Sequence, residues 1–177
     1  MGRREQFTVG ELTITESMKI GDQTVSTTEL SKLDAIPTTG YLVAQEAVLF
    51  TENGAGTYTG TIALPAGSSI LDVAVHGLAL WTAGTSAAMI VGDGDDDNGF
   101  FLSTDLKATA LLVGEVNNIE HPGGLAGAYI ASEQRKLYQS TARNVIGVVT
   151  SVGAGTAGRT LLVVTYAVPT AVAATKA

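Results

Sequence analysis

The chain has no cysteine, which excludes disulfides, thiolate nucleophiles, cysteine-ligated zinc and any thiol redox role. Charge is also scarce, at 15% of 177 residues against 45% hydrophobic. That balance is not that of a disordered chain, and it leaves few charges to solvate a surface, so some apolar surface is expected to meet another chain. Basic residues are outnumbered 10 to 17, for a net charge of −7. Such a chain repels phosphate backbones and anionic lipid, so neither nucleic acid nor membrane is expected as a partner. Asp72, His76 and several Gly and Thr interrupt the most apolar segments before any reaches membrane-spanning length. The opening MGRREQFTVG has two arginines with no apolar run behind them, so it does not read as a signal peptide. Aromatic residues make up only 6%, too few to favour a sugar-stacking surface.

What is present is strand-like text punctuated by glycine. The 21 glycines follow no fixed period and read as turn and bulge positions. Residues 1–40 are polar, Thr-rich and poor in large apolar groups, and are read as an extended arm, at most about 130 Å when stretched. Within it, Ser26-Thr27-Thr28-Glu29 ahead of Leu30 and Leu33 is a capping box that predicts a short helix over 27–34. Residues 41–168 are read as one β-sandwich or jelly-roll-like domain of about eight strands. Residues 169–177 are read as a tail.

Within that domain, 41–51 is apolar on both alternating sets, which predicts a strand buried on both faces or lying at a subunit contact. Residues 57–64 alternate, with Tyr58, Ile62 and Leu64 on one side. Residues 69–82 predict a long strand with Leu71, Val73, Val75, Ala79 and Trp81 facing one way and a bulge at Gly77. A strand over 87–92 precedes the acidic loop GDGDDDNG, and 103–116 is open between helix and strand. HPGGLAGA reads as a loop, 134–140 as a strand with a basic edge at Arg135 and Lys136, and 144–152 and 159–168 as strands joined by a hairpin at GAGTAG.

Chemistry-bearing residues are sparse. Asp93, Asp95 and Asp97 alternate like the start of a calcium loop. Asn98 stands where an EF-hand needs glycine, and Thr104 where it needs a bidentate carboxylate, so calcium is a minor expectation beside a solvated Asp/Asn/Gly turn. His76 and His121 have no metal-ligand partner at local spacing and read as structural or surface histidines. There is no G-x-S-x-G elbow and no P-loop, and HPGGLAG follows no clear strand and opens no clear helix. A hydrolase acting through Asp93, Asp95 or Asp105 with a metal would lack a ligand constellation. Trp81 reads as a core anchor and not as a sugar platform. Arg3, Arg4, Lys19 and Lys32 lie in the arm, as solubilising groups or as partners for an acidic surface. No catalytic residue, cofactor or firm metal site is therefore expected.

Residues 64–108 run from a Pro-Ala-Gly turn through a strand carrying Asp72-Val73, Trp81 before a Gly-Thr turn, and Val91-Gly92-Asp93 with its acidic loop. That text resembles small virion proteins of tailed bacteriophages. KIGDQTVSTTELSKLDAI, residues 19–36, is similar to head decoration and fibre proteins of such phages. The resemblance implies a capsid decoration, or cement, protein on the outer surface of the virion head. Its implied partners are the major capsid protein and further copies of itself, commonly as a homotrimer. A fibre or tail component binding a host receptor or glycan is the alternative. The resemblance carries no catalytic residue to this chain.

Overall fold

The computed structural model describes residues 17–20, 23–26, 40–132 and 135–170. The helix expected over 27–34 and the segment 171–177 lie outside them. The chain divides after Gly40 into two compact units. In the first, β1 (Ser17–Ile20) and β2 (Gln23–Ser26) form an antiparallel two-stranded ribbon.

The second unit is all-β, two antiparallel sheets packed as a sandwich. Its strands are β3 (Gly40–Thr51), β4 (Gly56–Leu64), β5 (Ser69–Ala79), β6 (Ser86–Gly92), β7 (Phe101–Asp105), β8 (Val116–Asn118), β9 (Arg143–Val152) and β10 (Arg159–Thr170). One sheet has the order β3-β10-β5-β8 and the other β4-β9-β6-β7. The first four strands thus pair with the last four in reverse order, 3 with 10, 4 with 9, 5 with 8 and 6 with 7. This is the winding of a jelly roll, an antiparallel ribbon rolled so that its two faces become two sheets.

Within the second unit only the β6–β7 connection stays within a sheet. The Gly-rich stretches before β4 and between β9 and β10 therefore cross from one sheet to the other, the second of them where GAGTAG suggested a hairpin. Turn chemistry says that the chain reverses, and not which sheet it joins afterwards.

The core is built by period two. On β9, Val145, Gly147, Val149 and Ser151 are buried, while Asn144 and Thr150 face out. Trp81, Phe100, Phe101, Ile62, Met89 and Leu162 fill the space between the sheets. Gly60 on β4 lies directly opposite Gly147 on β9. A Cβ at either position would run into Phe50 of the other sheet. The two glycines form a notch that receives this ring, which is why they sit in strand interiors where glycine is otherwise unfavourable.

Several expectations are corrected. The β5–β10 ladder skips Leu71 and Leu78, each an extra residue in β5. One bulged residue reverses the side-chain sense, so Ile70 is buried and Leu71, expected in the core, is 49% exposed. The second bulge falls just after Gly77. Strand β3 is not buried on both faces within this chain, since Val43 and Leu49 are 63% and 45% exposed. Residues 106–115 form neither helix nor strand. There Asp105 accepts from the Lys107 amide and the Thr109 hydroxyl, while Leu106 and Leu111 anchor the turns. Residues 135–140 are not a strand, and Tyr138 makes only an isolated bridge to Ser69. HPGGLAG does follow a strand, β8, and leads into α1 (Ala128–Ala131), a single turn.

Candidate functional site

The winding gathers the loops at two ends of the sandwich, and each end is tied by a buried acid. At one end Glu52, just past β3, is 2% exposed. Its Oε2 accepts from the Thr82 amide and hydroxyl and from the amides of Ala157 and Gly158. One carboxylate thereby joins the β3–β4, β5–β6 and β9–β10 connections. Burial alone would push its carboxyl up. The donors from Thr82, Gly158 and Ala157 outweigh burial and hold it below the ordinary carboxylate value. Trp81 lies under this end, its indole N–H donating to the Thr160 hydroxyl at 2.9 Å and its ring edge-on to Tyr58. It is 2% exposed, a core anchor as its place in the sequence suggested.

At the other end Asp93 leaves β6 and turns inward. Its Oδ1 accepts from the amides of Asp95 and Asp96 and from the Tyr129 hydroxyl at 2.7 Å. Its Oδ2 lies 3.8 Å from the Arg143 guanidinium, both side chains being almost fully buried. Arg143 donates to the carbonyls of Lys136 and Leu137 and stacks over the Phe100 ring. Burial pulls its ordinary value down and the Asp93 charge opposes that, and a guanidinium stays charged through such a shift. Burial, then the bond to Asp93, pushes the Tyr129 hydroxyl well up, so it stays a donor. Lys136 lies 4.6 Å over the Tyr129 ring and 3.7 Å from Asp95. Beside the pair is an open cleft of about 250 Å³ lined by residues 93–95, 139, 141–144 and 146.

This arrangement staples the 93–99 loop to the long β8–β9 connection. The calcium candidates do not converge. Asp93 points in towards a cation while Asp95 and Asp97 are exposed, and among the described residues no three His, Asp or Glu side chains group as metal ligands. Adding calcium at about 1 mM, the weak end of calcium-loop affinities, is expected to leave the melting temperature unchanged. A shift abolished by Asp95→Asn with Asp97→Asn would establish a site. Asp105 is held low, first by the Thr109 hydroxyl and then by the Lys107 amide. It lies at the far end of β6 from Asp93, opposite Ala88, so the carboxylates that a metal hydrolase would need are not brought together. His76 is half-buried on the outer face of β5 between Leu161 and Val116, and His121 is exposed in a turn with Asn118.

The larger feature is apolar. Leu71 and Leu78, turned outward by the two bulges, lie on the outer side of the β3-β10-β5-β8 sheet with Val116 and the exposed Val43 and Leu49. Leu102 and Val152 on the other sheet, and Leu112 and Val113 in the β7–β8 connection, are exposed as well.

A chain from a bacteriophage capsid has a similar fold. It comes from the acidic stable capsid structure of Helicobacter pylori bacteriophage KHP30, with a TM-score of 0.52 and 19% identity over 72% of this chain and 89% of that one. At that identity the likeness is one of fold. Chains of the cyanophage Pam1 capsid asymmetric unit (TM-score 0.46, 19% identity, 74% and 87% covered) and of the capsid of Ralstonia phage GP4 (0.44, 20%, 73% and 84%) also align. No family model and no curated protein matches the sequence.

Sequence reasoning passed over Glu52, Tyr129 and Arg143. The only local sign was a lone charge at the end of an apolar strand, in Glu52 and again in Arg143. A charge at a strand end is ordinarily solvated, so that sign could not single them out.

Proposed function

We propose that the protein is a non-enzymatic structural component of a tailed-bacteriophage virion. In this reading it is a decoration, or cement, protein that binds the outer surface of the assembled head through the major capsid protein and through further copies of itself as a homotrimer. The observation that carries the reading is the likeness in fold between this two-sheet sandwich and the KHP30 capsid chain. The phage-like text of residues 19–36 and 64–108 and the outward leucines of β5 support it. A cement protein works by adding buried area across shell subunits, and several weak contacts act together once the first is made. The glycan-binding alternative gains no support from the aromatics. Trp81 is buried, and Tyr138 is the one aromatic among the large exposed apolar side chains of the described residues.

Purified protein added to heads stripped of it is expected to bind them and to raise their disruption temperature. Leu71→Lys with Leu78→Lys is expected to weaken that binding. Burying a leucine contributes at least about 1.5 kcal/mol, so losing both costs roughly a hundredfold in affinity. Protein that leaves heads unbound and unprotected would refute the reading.

A further inference from the structure

The two flanks of the sandwich are unlike. On the β7/β8 flank the strands are short, five and three residues, and the long β8–β9 connection covers them. The Leu102 amide donates to the Leu125 carbonyl, Phe101 bridges Ala126, and the Gly127 amide donates to the Phe100 carbonyl. Further along, the Ile70 amide donates to Leu137, which carries the same cover past the end of β8. This is how a protein blunts a sheet edge.

Among the described residues the β3/β4 flank has none of these devices. Its strands run twelve and nine residues, and among the described residues no strand lies beyond either. Neither strand contains Lys, Arg or Pro. Its one charge, Glu46, accepts from the Tyr166 hydroxyl at 2.9 Å. Along β4 the outward residues are threonines, Thr57, Thr59 and Thr61. An edge of this length with a single charge, beyond which no described strand lies, is a template for another strand.

We infer that the β3/β4 flank is the surface by which copies of this chain associate, β3 of one copy adding to the open edge of the next. The charge distribution selects the occupant. The chain carries −7, so two copies repel wherever their acidic loops face each other, and this flank, whose one acid Glu46 is engaged by the Tyr166 hydroxyl, is where they meet with little like charge. Val43 and Leu49, exposed on the same side of β3, would then be shared across the contact, and the edge amides and carbonyls that no described strand pairs would be satisfied. The inference rests on the self-association within the proposed function and not on attachment to a capsid.

The test is the solution mass of the full chain, with hydrogen exchange along β3. The wild type is expected to be an oligomer in which the β3 edge amides are protected. Val43→Lys with Leu49→Lys, and separately Thr59→Lys on β4, are expected to reduce the mass to that of one chain, 18.1 kDa. Both variants are expected to keep cooperative unfolding, and β3 to lose its protection. Thr59 is an exposed site at which folding is expected to survive, so the test stands if the β3 double variant fails to fold. If the flank variants remain oligomeric, or if Leu71→Lys with Leu78→Lys dissolves the oligomer instead, the inference is overturned while self-association stands. A wild type that is monomeric at every concentration overturns both, and head binding then judges the capsid reading by itself.

Discussion

Replacing Glu52 with alanine is expected to lower the unfolding free energy by about 3–5 kcal/mol, the cost of removing one member of a buried, charge-assisted set. The donors left behind are the amides of Thr82, Ala157 and Gly158 and the Thr82 hydroxyl. Each that remains buried without an acceptor costs about 1–3 kcal/mol, and water reaching the opened loops recovers part of that. Urea unfolding at neutral pH measures the loss. The same residue sets an acid limit. Its folded-state carboxyl lies below the ordinary 4.5. Its contribution is therefore fully present above that value, and is lost as pH falls below it through the depressed folded-state value. Glu52→Gln keeps the shape and removes the charge, so its stability is expected to be lower at neutral pH and flatter on acidification. Equal acid sensitivity in wild type and Glu52→Gln would place the acid limit elsewhere.

Asp93→Ala is expected to be comparably severe, about 3–5 kcal/mol, because it strands the Arg143 guanidinium in the interior without its carboxylate. Arg143 would still hold the Lys136 and Leu137 carbonyls. The 93–99 loop would lose more, since Asp93 also accepts from two of its amides and from Tyr129. Pairing Asp93→Ala with Arg143→Met removes both charges and puts a flexible apolar chain beside Phe100. The double variant is expected to be less destabilised than the sum of the two single ones, a coupling that a double-mutant cycle reads directly. Strict additivity would show that the 3.8 Å pair is incidental to stability. Hydrogen exchange is expected to rise first in residues 135–139, which Arg143 ties to β9.

Much of the sandwich could be read from period two. The alternation of Tyr58, Ile62 and Leu64, the Val/Thr text of β9 and β10, and the Gly/Asp loop after Gly92 each report a local preference that the fold keeps. Reading failed where a partner distant in the chain decides. Leu71 belongs to the core by alternation and lies outside because β10 pairs past it. Residues 134–140 look like a strand, yet 135–140 run as a connection held by Arg143 and by Ser68 and Ile70. The two buried acids were the least legible. The donors to Glu52 lie 30 and more than 100 positions away, and no pattern in the chain announces them.

The amino-acid sequence by itself determined that this chain folds as strands separated by glycine turns, without thiol chemistry or an excess of positive charge. Those properties belong to single residues and near neighbours, and survive whatever the chain packs against. The tertiary structure alone decided which sheet each strand joins, which leucines of β5 face solvent, and which strands lie at the sheet edges among the described residues. These depend on pairings such as β3 with β10 and β4 with β9, made across most of the chain's length. A hydrogen-bonded ladder specifies its partner by the geometry of the whole roll and not by the identity of any residue in it.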